Sequence, residues 1–150
     1  MSIDEFKKKI GNNSRLLGID PGKKKIGIAI CDENTAVATP LTTIKKKKFE
    51  SLLIEINKII DENKIRGIVI GKPINMDGSL GKSAQSALDF AKNISKNFTI
   101  PITLWDERLS SQAAFNLTKP LNTNTSNKIK NLDKNSAAFI LQGAIDYLTN

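Results

Sequence analysis

The chain has 150 residues, which is the length of one domain and leaves little room for a second. It contains no histidine, so Ser-His-Asp and Cys-His mechanisms, histidine–zinc sites and imidazole general bases are all excluded. Lysine and arginine outnumber aspartate and glutamate by 23 to 15, and the net charge of +8 favours a polyanionic partner such as nucleic acid, although lysine runs also occur as solvated faces.

The single cysteine and the N-terminal residues indicate the cellular compartment of the protein. Cys31 is the only cysteine and lies in an apolar run, so it predicts core packing without an internal disulfide. The N-terminus has no apolar signal region, and no stretch is long enough to span a membrane. We therefore expect a cytoplasmic protein without a membrane partner. Residues 1–14 are interpreted as an N-terminal extension and residues 15–150 as the domain.

Three short strands are predicted first, at residues 16–20, 26–31 and 36–41. Turn residues separate them, so their spacing favours an antiparallel meander. Pro40 in the third strand indicates a sheet edge or the end of the strand.

After residue 48 the pattern alternates between helices and strands, with a polar, glycine-rich loop between two of them. The predicted elements are a helix at 49–63, a strand at 65–70, the loop at 71–82, a helix at about 84–94, a strand at 102–105, a helix capped by Ser110, a loop at 119–131 and a helix at about 134–148. This order predicts an α/β fold with a five-stranded mixed sheet, three antiparallel strands and then parallel strands, flanked by helices.

Four of the fifteen acidic residues lie after the first or fifth predicted strand or before the last predicted helix. Asp20 follows the first strand, Asp106 and Glu107 follow the fifth, and Asp133 precedes the last helix. Each alone could be a turn residue, a helix cap or an ion-pair partner. Together they are expected at the rim formed by the carboxyl ends of the parallel strands, where ligands bind in such sheets.

Carboxylates that converge at one rim repel one another unless a cation joins them, and Mg²⁺ prefers oxygen ligands. Two such ions can activate a water and stabilise the leaving oxygen of a phosphodiester, and this chemistry requires no histidine. The acidic residues therefore indicate metal-dependent phosphoryl transfer.

Four segments carry a resemblance to a known family. They are LLGIDPGKKKIGIAI (16–30), GIVIGKPINMDGSLG (67–81), LWDERLSSQAA (104–114) and LDKNSAAFILQGAIDYL (132–148). Together they resemble the YqgF/RuvX family of bacterial RNase H-like nucleases. The resemblance implies an RNase H-like fold and a role in trimming the 5′ end of precursor 16S rRNA. Members are also labelled Holliday-junction resolvases, by analogy with RuvC.

The resemblance also implies roles for single residues. The metal-binding and catalytic acids of the family correspond to Asp20, Glu107 and Asp133, with Mg²⁺ or Mn²⁺ as the cofactor. The other correspondences concern the substrate: Asn75, Asp77 and Gly78 lie in the signature loop beside the cleft, and Arg108 would meet a phosphate. This chain has Gly22-Lys23-Lys24 where the family usually has Gly-Thr-Lys/Arg after the first aspartate, so the threonine hydroxyl is missing. Lys23 and Lys24 are candidates for phosphate contacts.

The leading hypothesis is a nuclease acting on structured RNA, and a resolvase of four-way DNA junctions is the alternative. In both cases the 45–48 lysine run would help to hold phosphates. A non-catalytic nucleic-acid-binding or ribosome-binding module remains open, whereas an actin-like or sugar-kinase-like protein would need two such domains. The sequence leaves open whether the protein is a monomer or a dimer, and whether ribosomal particles direct it.

Overall fold

A computed structural model of the chain describes residues 1–22, 24–45, 47–73, 78–106 and 136–149. The elements in these ranges are α1 (Ile3–Ile10), β1 (Leu16–Pro21), β2 (Lys25–Cys31), β3 (Ala38–Lys45), α2 (Phe49–Asn63), β4 (Gly67–Lys72), α3 (Lys82–Ser95), β5 (Ile102–Asp106) and α4 (Ser136–Thr149). The predicted helix capped by Ser110 and the predicted loop 119–131 lie outside the described residues.

The five strands form one mixed sheet in the order β3-β2-β1-β4-β5. β1 pairs with β2 and β2 with β3 in antiparallel register, whereas β1 with β4 and β4 with β5 are parallel. The predicted α/β class and the five-stranded mixed sheet, with three antiparallel strands and then parallel strands, are therefore confirmed. Pro40 lies on the edge strand, where a missing backbone donor costs no ladder hydrogen bond.

The third strand begins and ends later than the predicted range of 36–41. The carboxylate of Asp32 accepts hydrogen bonds from the backbone N–H of Ala36 at 2.7 Å and of Val37 at 2.9 Å. These bonds hold both residues in the turn after β2, and they lower the pKa of Asp32 because they stabilise its charged form. The strand therefore starts at Ala38, and Ile44 near its end is buried.

The sheet has an apolar core on each face. The α2 and α3 helices cover one face, where the buried side chains include Leu17, Ile19, Ile26, Ile28, Ile44, Ile68 and Ile70. The α1 and α4 helices cover the other face, where they pack on Leu16, Ala29, Cys31, Val69 and Trp105. Successive strand residues point to opposite faces, so the runs of isoleucine and leucine in β1 and β4 serve both cores.

The predicted N-terminal extension contains a helix that packs into the core. Phe6 and Ile10 of α1 are buried in the same cluster as α4. They lie directly over Gly67 of β4, where an added Cβ would be 2.7 Å from Phe6 Cζ and 2.9 Å from Ile10 Cγ2. The boundary at residue 14 stays a prediction, but α1 contributes to the core of the sheet.

Gln142 fixes α4 to the edge strand. Its side-chain amide accepts a hydrogen bond from Ala38 N at 2.8 Å and donates one to Ala36 O at 3.0 Å. These bonds and the burial of α4 against β1 and β2 hold the helix across the antiparallel half of the sheet. No helix within the described ranges is long and apolar enough to cross a membrane.

Replacement of Phe6 by alanine tests whether α1 belongs to the core. Because Phe6 is fully buried, Phe6→Ala is expected to lower the free energy of unfolding by about 3–5 kcal/mol, measured by urea denaturation. Lys8→Ala changes an exposed residue of the same helix and should stay within about 0.5 kcal/mol of the wild type. Equal stability of the two variants would show that α1 is not part of the folded core.

Candidate active site

Asp20 lies at the rim where the parallel strands end. It is the fifth residue of β1, and the register pairs Ile19 with Ile70 of β4 and Lys72 with Asp106 of β5. The carboxyl ends of β1, β4 and β5 therefore open at one edge of the sheet. This is the location predicted from the sequence, and it is the usual ligand-binding edge of an open α/β sheet.

The side chain of Asp20 belongs to the face that α4 covers. Ile19 is buried in the core of the opposite face, so its neighbours Gly18 and Asp20 point toward α4. Two glycines of this face bring the helix close: a Cβ at Gly18 would lie 2.8 Å from Leu141 Cβ, and one at Gly27 would lie 3.3 Å from Ala137 Cβ. The absence of side chains at these positions lets the first turn of α4 approach Asp20.

Among the described residues, Ser136 contacts the Asp20 carboxylate. Its Oγ donates a hydrogen bond to Asp20 Oδ2. Hydrogen bonds to a charged acceptor are stronger than those between neutral groups, and they fix the rotamer of the carboxylate. Asp20 is half-buried, so its carboxylate is oriented by α4 while part of the side chain still faces solvent.

The turn that follows Asp20 requires glycine. A Cβ at Gly22 would lie only 2.4 Å from the carbonyl oxygen of Lys25, so no other residue fits without a backbone shift. The N–H of Gly22 donates to the Asp20 carbonyl oxygen at 2.9 Å. The Asp-Pro-Gly segment therefore makes a tight reversal that leaves Asp20 at the rim.

The structure separates Asp106 from Asp20. Trp105 packs in the cluster of α1 and α4, whereas Leu104 packs against the core of α2 and α3. By strand alternation Asp106 shares the face of Leu104, which is the face opposite to Asp20. Of the two adjacent acids at the end of the fifth strand, Asp106 is thus the one placed away from Asp20.

The described ranges include only some of the predicted site residues. Lys24 is exposed beside the Gly22 turn, and Gly78 is exposed with a φ of 88°, a conformation that favours glycine. The other candidates, Lys23, Asn75, Asp77, Glu107, Arg108 and Asp133, lie outside the described residues. Within the described ranges no three acidic or cysteine side chains form a group that could hold a metal ion.

Sequence reasoning missed Ser136 and the glycines that face α4. The signal for Gly18 was available, because a residue two positions before Asp20 in a strand shares its face. Ser136 carried no such signal: it lies 116 residues from Asp20 in the sequence, and their contact depends on how α4 packs.

The comparisons with known proteins agree with this architecture. The sequence model of the family described as "RuvX: Holliday junction resolvase" matches residues 14–147. A protein of Pelagibacter ubique (strain HTCC1062) named "Putative pre-16S rRNA nuclease" is 53% identical over 150 residues, covering 100% of this chain and 99% of its own. A protein of the same name from Rhodobacter capsulatus is 41% identical and covers 99% of this chain and 93% of its own.

Solved structures show the same fold at low sequence identity. The RuvC of T. thermophilus in complex with a Holliday junction has a TM-score of 0.58 and 11% identity, covering 91% of this chain and 96% of its own. The yeast mitochondrial Holliday junction resolvase Ydc2 has a TM-score of 0.52 and 14% identity, covering 98% and 84%. The chain therefore has the RNase H-like fold of these resolvases.

A pair of glycine variants tests how closely α4 approaches the sheet. Gly18→Ala should cost about 1–3 kcal/mol of unfolding free energy, because its Cβ would overlap Leu141 and the backbone oxygen of Ala137. Gly27→Ala should stay within about 1 kcal/mol, because the neighbouring Ala137 methyl needs to move only slightly and alanine restricts the unfolded chain. Urea denaturation measures both, and equal costs would contradict the packing described for α4.

Proposed function

Because this chain belongs to the RuvX family, we propose that it is a metal-dependent nuclease that hydrolyses phosphodiester bonds in structured RNA. The proposed substrate is the precursor of 16S rRNA, at its 5′ end. The observation that carries the proposal is the position of Asp20, an oriented and partly exposed carboxylate at the shared rim of the parallel strands.

The Asp20 site fits a divalent cation. The hydroxyl of Ser136 engages Oδ2, and Oδ1 has no hydrogen-bond partner among the described residues. A carboxylate oxygen of this kind is a ligand that Mg²⁺ and Mn²⁺ prefer. When bound, such an ion activates water and neutralises charge on the phosphate. Asp20 would hold the ion, and Ser136 would keep the carboxylate in the geometry needed for binding.

Sequence spacing supports Glu107 and Asp133 as the further metal ligands. Glu107 is two positions after Trp105, whose side chain lies on the α4 face, and residues two apart in a strand share a face. Asp133 is three positions before Ser136, which corresponds to about one helical turn. The described strand ends at Asp106 and the described helix begins at Ser136, so the choice of Glu107 over Asp106 rests on this spacing and on the family resemblance.

Basic and polar residues around the rim would bind the substrate. Lys24 is exposed next to the turn that follows Asp20, and the family resemblance adds Lys23, Arg108 and the loop residues Asn75, Asp77 and Gly78. Contacts of this kind with phosphates are independent of base sequence and weaken as salt concentration rises. Ribosomal particles would then supply the substrate and its context.

A junction resolvase is the second candidate. It is favoured by the family description and by the structural likeness to the two resolvases, whereas the relatives of nearly equal length carry the rRNA nuclease name. Paired cuts across a symmetric junction require two active sites related by symmetry. The products of cleavage therefore distinguish the two candidates.

Replacement of Asp20 by asparagine tests the site. With Mg²⁺ or Mn²⁺, the wild type is expected to cut a labelled RNA spanning the leader and 5′ end of 16S rRNA, and Asp20→Asn should lower the rate more than about a hundred-fold. Asp61→Asn, which removes the same charge from an exposed position of α2, should retain activity. A chelator should abolish the wild-type rate.

The outcomes separate the hypotheses. Symmetric paired cuts in a four-way DNA junction, with no cleavage of the RNA, would favour the resolvase. An Asp20→Asn variant that cuts as fast as the wild type would show that the site is elsewhere. A wild-type protein that binds RNA but cuts neither substrate with either metal would indicate a non-catalytic module.

Ser136 is expected to act through Asp20 as a positioning residue. Ser136→Ala should raise the Mn²⁺ concentration needed for half-maximal cleavage by about ten-fold or more, because outer-shell hydrogen bonds orient metal-binding carboxylates. Ser136→Thr keeps the hydroxyl and should restore much of the loss. Ser95→Ala removes an exposed hydroxyl of α3 and should change nothing. A Ser136→Ala variant with wild-type metal dependence would contradict this role.

A further inference from the structure

Two lysines face each other across the antiparallel strands β2 and β3. The register pairs Lys25 directly with Lys45, and both side chains are exposed. Like charges directly opposite one another in an antiparallel pair are destabilising. Within the described part of the chain neither lysine forms an ion pair, whereas the nearby Lys47 pairs with Glu55. The sheet therefore carries an uncompensated repulsion at this position.

Both lysines point to the face that carries Asp20. Their neighbours Ile26 and Ile44 are buried in the core against α2 and α3, so Lys25 and Lys45 project from the opposite side. That side is the one covered by α4. The two lysines also lie at the end of the sheet where β1, β4 and β5 present their carboxyl ends.

The register arranges this face in two rows. Asp20 pairs with Gly27, and Gly27 pairs with Thr43, so one row crosses the sheet from the carboxylate to the edge strand. The Lys25–Lys45 pair forms the next row, two residues closer to the rim. With standard strand rise and spacing, the Cα atoms of Lys25 and Lys45 lie about 8 Å and about 12 Å from that of Asp20.

A groove lies at the outer end of the first row, along the edge strand. It has a volume of about 250 Å³ and lies between β3 and the first turn of α4, and its lining includes Gly27, Thr43, Ala137 and Ala138. Gly27 has no side chain, but Ala137 of α4 occupies the space above it, since an added Cβ would lie 3.3 Å from the Ala137 Cβ. The lysine pair is not part of this groove and lies one row closer to the rim, so a strand that leaves Asp20 along the rim meets the two lysines rather than Gly27.

We propose that Lys25 and Lys45 bind consecutive backbone phosphates of the nucleic-acid strand, which leaves Asp20 along the rim and crosses the β3 edge past the two lysines. This assignment rests on the proposed function, because it takes Asp20 as the point of cleavage. It gives the strand a path and explains the like-charged pair, since phosphates beside both lysines offset their repulsion.

The test measures binding without cleavage. A fluorescently labelled RNA spanning the leader and 5′ end of 16S rRNA is titrated in EDTA at several salt concentrations, with the wild type and with Lys25→Gln/Lys45→Gln. The control is Lys8→Gln/Lys9→Gln, which removes the same charge from exposed positions of α1 near the start of β4, at the other end of the sheet. Chelation makes the result independent of whether the protein cuts RNA.

We expect Lys25→Gln/Lys45→Gln to bind the RNA about ten-fold more weakly than the wild type. The slope of log K against log salt concentration should become less steep by about 1.5. For the control variant, the change in affinity and the change in slope should each be less than half as large. Equal losses of RNA affinity in both double variants would show that the effect comes from net charge alone and would overturn the proposal. Unchanged binding by Lys25→Gln/Lys45→Gln would also overturn it. A loss confined to some base sequences would indicate base contacts and also overturn it.

Lys45→Glu provides a second readout that a loss of folding would not mimic. It turns the like-charged pair into an opposite-charged one, so the melting temperature is expected to rise by about 1–2 °C. RNA affinity should nevertheless fall, because a carboxylate would replace one phosphate ligand. Wild-type affinity in Lys45→Glu would overturn the proposal.

Discussion

The close packing of α4 on a glycine-bearing face of the sheet is the constraint on which the candidate site depends. Gly18 and Gly27 leave room for the helix, and Gln142 ties it to the edge strand. Because the helix is held in this way, Ser136 reaches the carboxylate of Asp20. A larger side chain at Gly18 would push α4 away, and the hydrogen bond that orients Asp20 would be lost with it.

The two faces of the sheet differ in polarity. The α2 and α3 side is a continuous apolar core, which gives β1 and β4 a rigid base. The α4 side is apolar at its centre but polar at the rim, where Asp20, Lys25 and Lys45 lie. The like-charged pair is unfavourable for the sheet itself, and local costs of this kind are common where a protein binds a charged ligand.

Most of the fold could be predicted from the sequence because strand and helix periodicities are local. The existence of the five strands and the antiparallel meander of the first three followed from apolar spacing and turn residues, and the parallel strands followed from the strand–helix alternation. The limits of the third strand were wrong, because the carboxylate of Asp32 holds Ala36 and Val37 in a turn. The packing of α1 was not foreseen, since only Phe6 and Ile10 of this short, lysine-rich helix are buried.

The sequence by itself determined the class of chemistry: no histidine, acidic residues after strands 1 and 5, and motifs that resemble one nuclease family. It also placed Asp20 at the rim, because the end of a strand is a local property. Only the tertiary structure decided which side chains share a face with it. Asp106 was separated from Asp20, while Ser136, Lys25 and Lys45 were brought to its side. Such contacts arise from register and helix packing between distant segments, which the spacing of residues within one segment does not specify.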